Sequence, residues 1–222
     1  MIEALKDSLP MALGLALSPF SVIAIIIILM TPKAKINALA FLIGWMSGIY
    51  LVGLLIFLLP GLETKQGNPT TFSGVMRVLA GLSLLIFAFR SWLKRPKAGE
   101  EIKTPKLFLT LDKFSIWQSM LTVFLFSAAN VKNMAFSATG AARIDYSLVN
   151  DNSIYAALFI FTAIGSLTLV FPIGIYLFIG DKIEPTFIRW KTWLIKNNAV
   201  LLVILLGSIG LMLLKSGVEI FI

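Results

Sequence analysis

Apolar residues in this chain form long uncharged runs instead of alternating with polar ones. Residues 8–32, 36–62 and 152–180 contain no Asp, Glu, Lys or Arg. Each run exceeds the roughly 20 residues that carry a helix across a bilayer core. A membrane β-barrel would show period-two alternation, which is missing here. The pattern therefore predicts an all-α membrane protein with six transmembrane helices, at about residues 9–31, 37–59, 72–93, 114–142, 153–179 and 199–218. The third is bracketed by Arg77 and Arg90, whose long side chains can reach the interfaces from near the helix ends.

Composition narrows the class. The chain is 58% hydrophobic and 14% charged, against about 45–50% and 25% in soluble domains. It contains no Cys and no His. That excludes a disulfide framework, a thiol relay, zinc-type clusters and Ser-His-Asp activation. No uncharged block holds a carboxylate for general acid–base work. The expectation is a protein that is not an enzyme, with no cofactor and no metal site. The first segment is retained as a helix of the mature protein, because Glu3 and Asp7 oppose Lys6 where a signal peptide would be basic.

The net charge of +8 is accounted for by loop asymmetry and needs no nucleic-acid partner. The loops at 32–36, 94–113 and 180–198 carry twelve Lys and Arg, among them Lys33, Lys35, Lys182, Arg189, Lys191 and Lys196. The opposite side carries five: Lys6, Lys65, Arg77, Arg143 and Lys215. By the positive-inside rule the twelve face the cytoplasm, which predicts a multi-pass protein of the cytoplasmic membrane with both termini outside. The basic linker at 94–113, with Pro96 and Pro105, divides the chain into a first three-helix repeat at 1–93 and a second at 114–222. Three helices per half require the repeats to be inverted. Ala38–Phe41 resembles Ala156–Phe159, and Ile86–Ser91 resembles Leu211–Ser216, in matching order.

The first helix of each half is predicted to be interrupted. Pro19 cannot donate a helical hydrogen bond, and Ser18 before it reads as the N-cap of a new helix. At about 1.5 Å per residue Pro19 lies roughly 15 Å deep. In the fourth segment Asn130 reads as a second cap, followed by Lys132 and Asn133. Inverted repeats would bring the two breaks together, with two helix N-termini and the Lys132 charge at the midplane. An ammonium there costs about 2.5–3.5 kcal/mol on insertion scales, so it needs a partner or a polar cavity. Ser18, Pro19, Asn130, Lys132 and Asn133 are thus the candidate substrate-binding residues, for an anionic or strongly polar group. Each also has a structural reading: Ser18 satisfying a freed carbonyl, Lys132 snorkelling outward, the two asparagines bridging helices.

Other features read as packing. Ala40, Gly44 and Gly48 fall four apart and allow close helix contact, within a protomer or a homodimer, with Trp45 packed beside them. Gly207 and Gly210 read the same way. Trp92, Trp117, Trp190 and Trp193 flank spans as interfacial belts do. Arg143 and Asp145 near the outer end of the fourth helix suit a pair or a gate.

Together these residues resemble the GAP or Sap family of glycolipid- or sulfolipid-addressing proteins, within the lysine-exporter superfamily. The resemblance rests on Ala16–Pro19, Thr31–Lys33, Ala40–Trp45, Arg90–Trp92 with Arg95–Pro96, Leu111–Asp112 and Asn130–Asn133, in order along the chain. The family's fourth-helix motif reads Asn-Pro-Lys-Asn. Val131 replaces the proline here and keeps its N–H, which predicts a milder break. The resemblance implies a transporter or addressing protein that moves a polar lipid or lipid precursor across or out of the membrane, its partners being membrane lipids. Two alternatives remain: a secondary exporter of a small anionic or zwitterionic solute such as an amino acid, and a non-transporting subunit of a larger envelope-lipid transporter.

Overall fold

In a bilayer interior the backbone must satisfy its own hydrogen bonds, and the apolar runs do so as helices. The computed structural model describes residues 2–58, 71–93, 95, 115–147 and 151–221. Its α-helices are α1 (Ile2–Ala16), α2 (Pro19–Leu29), α3 (Ala34–Leu58), α4 (Thr71–Leu93), α5 (Ile116–Ala128), α6 (Val131–Ser147), α7 (Asp151–Gly165), α8 (Leu167–Ile179) and α9 (Glu184–Val218), with a 3-10 turn at Gly180–Ile183. All regular structure among the described residues is helical. The 94–113 linker, apart from Arg95, lies outside them, as does the side chain of Asp145.

The first apolar segment is the pair α1 and α2, bent by 59°. The fourth is α5 followed by α6. The fifth, expected to be continuous, is also divided, into α7 and α8 at Ser166. The cause is local: the Thr162 hydroxyl donates to the Leu158 carbonyl, and the Ser166 hydroxyl to the Thr162 carbonyl at 2.8 Å. Such back-bonding bends helices, and the Ser166 N–H turns to the nearer Ala163 carbonyl. The sixth segment also departs from expectation. Most of the 180–198 loop is helical, because α9 starts at Glu184 with an acidic first turn and Pro185 beside it. By length and composition two stretches can cross a membrane, Ala34–Leu55 and Leu167–Val218, and a third if α1 and α2 form one span. The break between α5 and α6 cuts the fourth apolar run into pieces shorter than a span.

The chain forms two compact units, residues 1–65 with 104–191, and residues 66–103 with 192–222. In the first, α3 packs on α5, α6 and α7, while α1 packs on α6 and α7. Trp45, Phe161, Ile49, Ile144 and Leu158 fill the interior. Gly44 and Gly48 let α3 lie directly on the α5 backbone; a Cβ on either would overlap the Met120 carbonyl or the Ser127 hydroxyl. The paired positions rise together, so α3 and α5 are parallel. Gly14 meets Phe136, and Arg143 reaches the Asp7 carbonyl at 3.5 Å, so α1 and α6 are antiparallel.

The second unit contains α4 and the later part of α9. The two are antiparallel, and their backbones meet at glycines. A Cβ on Gly81 would fall 2.8 Å from the Gly210 carbonyl, and one on Gly217 3.0 Å from the Gly74 carbonyl. Gly207, expected to pack like Gly210, has nothing within 4 Å of its Cβ position.

Candidate site at the helix breaks

An α-helix ends with four carbonyls that no longer have a donor in the next turn. At the end of α1 these oxygens can be followed one at a time. The Gly14 carbonyl would ordinarily take the Ser18 N–H, but that N–H turns to the Ala16 carbonyl at 2.8 Å. The Leu15 carbonyl would take the N–H of residue 19, which is proline and has none. The Lys132 ammonium supplies what is missing. Its Nζ donates to the carbonyls of Gly14 at 3.0 Å, Leu15 at 3.4 Å and Leu17 at 3.0 Å. The Thr168 hydroxyl donates to the Ala16 carbonyl at 2.7 Å. A cation at a helix C-terminus also opposes the negative end of the helix dipole, worth up to about 2 kcal/mol in a partly buried setting.

Lys132 is held in place by its own helix start. The Asn130 side-chain oxygen accepts the backbone N–H of Lys132 at 3.0 Å and of Asn133 at 3.3 Å, capping α6. The Asn133 amide donates to the Ser127 carbonyl at 3.1 Å and so closes α5. The break here is complete, contrary to the milder one expected from Val131. Val131 is the first residue of α6, and an N–H at that position has no helical acceptor in any case. Proline and valine therefore differ little there.

Ser18 occupies the N-cap position of α2, with Pro19 next, but its side chain makes no capping bond. Its carbonyl instead accepts the Ser21 hydroxyl at 2.9 Å. Phe20 and Phe126 stack across the two breaks with ring centroids 4.9 Å apart. The Phe136 ring lies 5.9 Å from the Lys132 ammonium. Asn133 and Ser137, one turn apart on α6 and at most 1% exposed, leave Asn133 Oδ1 and Ser137 Oγ without partners among the described residues.

The structure thus brings the residues predicted from sequence together. Lys132, Asn130 and Asn133 at the start of α6 adjoin the chain at Leu17, next to Ser18 and Pro19. The electrostatics differ from the expectation. The Lys132 charge is shared with the negative end of α1 and does not stand free beside two positive helix ends. Thr168 was missed. Its signal was the polar pair Ser166 and Thr168 inside an otherwise apolar run, at the third break, where Gly165 packs against Leu15.

Apolar helices interrupted at three places, with a lysine bound into one of the interruptions, define an all-helical membrane protein with a polar junction inside its first unit. Residues 9–219 match the family model described as Sap, sulfolipid-1-addressing protein. The chain belongs to this family. Comparison with curated proteins and with solved structures gave no match.

Proposed function

We propose that the protein is a multi-pass transporter or addressing protein of the cytoplasmic membrane, which moves a polar lipid or lipid precursor outward, and that the junction of helix breaks is where the polar headgroup passes. One observation carries the reading: Lys132 satisfies the broken end of α1 through three carbonyls, bonds that an anionic headgroup can compete for. The family description supports a lipid with an anionic, sulfated head. Six segments in two inverted halves are supported by the helix directions. Under that reading α1 and α6 come from the equivalent first and fourth segments and run antiparallel. The parallel contact of α3 with α5 has a counterpart in α1 with α7, where Ala12 and Leu15 meet Gly165. Rocking of one half against the other would expose the junction to either side.

The test is a strain lacking the protein, complemented with wild type, Lys132→Met or Lys132→Arg. Surface-extractable and total cell lipids are compared by mass spectrometry. The expected result is one acidic lipid class lost from the surface and retained in the cell, restored by wild type and not by Lys132→Met. Unchanged surface lipids in the deletion strain would refute the lipid reading and favour export of a small solute. Full restoration by correctly inserted Lys132→Met would refute the junction as the site and favour an accessory role in a larger transporter.

A further inference from the structure

Away from the helix breaks, the first unit contains a cavity of about 240 Å³ where α2, α8 and the start of α9 meet. Its floor is apolar and aromatic, with Leu29, fully buried Phe187 and Tyr176, which is 9% exposed. Its rim carries two carboxylates, Asp181 and Glu184. The Tyr176 hydroxyl donates to Asp181 Oδ1 at 2.9 Å and fixes that carboxylate over the floor.

The cavity is electronegative from several directions. Two helices, α2 and α8, end beside it and turn the negative ends of their dipoles toward it. Pro32 has no N–H with which to close the end of α2. The Thr31 N–H and hydroxyl both go to the Ile28 carbonyl, and the carbonyls of Leu29 and Met30 take no donor among the described residues. The chain has 19 Lys and Arg, Lys182 lies between the two carboxylates in sequence, and yet neither carboxylate forms an ion pair among the described residues. A cation is the complementary ligand. A hard metal ion asks for six or more oxygens, and no three acidic side chains come together among the described residues. Two carboxylates above a lining that includes the rings of Tyr176 and Phe187 suit an organic ammonium, which charge attracts and an aromatic surround favours. The volume lies under the roughly 300 Å³ at which drug-sized pockets begin, so it takes a headgroup and not a whole lipid.

We infer that this cavity binds an ammonium group, either of a small soluble amine or of an aminophospholipid head in the adjoining leaflet. The inference is independent of the reading of the helix breaks. The full chain, purified in detergent, is titrated at constant ionic strength with ethylammonium and tetramethylammonium chloride, with sodium chloride as the reference. Tryptophan fluorescence gives the readout, since the Trp190 ring lies 5.8 Å from Phe187. In parallel, protein from nanodiscs of phosphatidylethanolamine or of phosphatidylglycerol alone is examined by native mass spectrometry for retained lipid. Saturable amine binding, weakened at least tenfold by Asp181→Asn with Glu184→Gln and several-fold by Phe187→Leu, supports the site with a soluble ligand. Retention of phosphatidylethanolamine by wild type and its loss in the double variant supports it with a lipid ligand. Glu184→Gln alone gives an intermediate result in either case. The inference is overturned if neither amine nor phosphatidylethanolamine distinguishes wild type from a monodisperse double variant, or if sodium titrates as the amines do.

Discussion

Replacing Lys132 by methionine keeps the length and apolar stem of the side chain and removes only the ammonium. The carbonyls of Gly14, Leu15 and Leu17 then lose their donor. A hydrogen bond to a charged group contributes about 1.5–3 kcal/mol, but these three share one ammonium and one helix end and do not add. Leaving these carbonyls of one helix end without their donor therefore costs about 1.5–3 kcal/mol in all. For a chain of this size about 2–4 °C of melting temperature goes with each kcal/mol, so the midpoint should fall by roughly 3–12 °C. Lys132→Arg keeps the charge but presents a planar fork to carbonyls arranged around a point donor, and should lose less than half as much. The assay is thermal unfolding of detergent-solubilised protein, followed by circular dichroism. A Lys132→Met midpoint within 2 °C of wild type would refute the account of the α1 end given above.

Thr168→Val should cost about 1 kcal/mol by freeing the Ala16 carbonyl, and a double-mutant cycle with Lys132→Met should show coupling, since both donors serve one helix end. Asn130→Ala should cost about 1 kcal/mol as a lost cap, read by the same melts. Gly44→Val should abolish the folded protein by driving α3 off the Met120 carbonyl, while Gly207→Ala, with open space around it, should stabilise α9 by up to about 1 kcal/mol; yield and melting temperature of the two variants check both. The natural absence of cysteine makes topology directly measurable: Lys33→Cys should be shielded from a membrane-impermeant maleimide in intact cells, and Lys6→Cys should be labelled.

The two expected breaks were legible because their signals are properties of single residues. Pro19 lacks a donor wherever it is placed, and Asn130 is a good cap in any helix. The Gly44 and Gly48 spacing was legible for the same reason. The partners of Lys132 were not, because backbone carbonyls are present at every residue and only the fold decides which of them are left bare. The break at Ser166 arises from two hydroxyls bonding backward, in a run whose hydropathy reads as uninterrupted. The early start of α9 was hidden because hydropathy marks where lipid ends, and a helix can continue past that point. Prolines also differ by position: Pro10 and Pro172 lie within helices that continue through them, whereas Pro19 begins a new one.

The glycine seam between α4 and α9 has a consequence for how the protein is made. Its first half, Gly74 and Gly81, is synthesised roughly 130 residues or more before its second half, a delay on the order of 10 s at ordinary elongation rates. During that interval α4 presents a bare strip of backbone shaped to receive one particular helix. A chain stopped before Gly210 never supplies that helix, although every residue at the junction of breaks has already been translated. A chain truncated ahead of Gly210 is therefore expected to be removed by proteolysis and not to accumulate, which immunoblotting of membrane fractions would show.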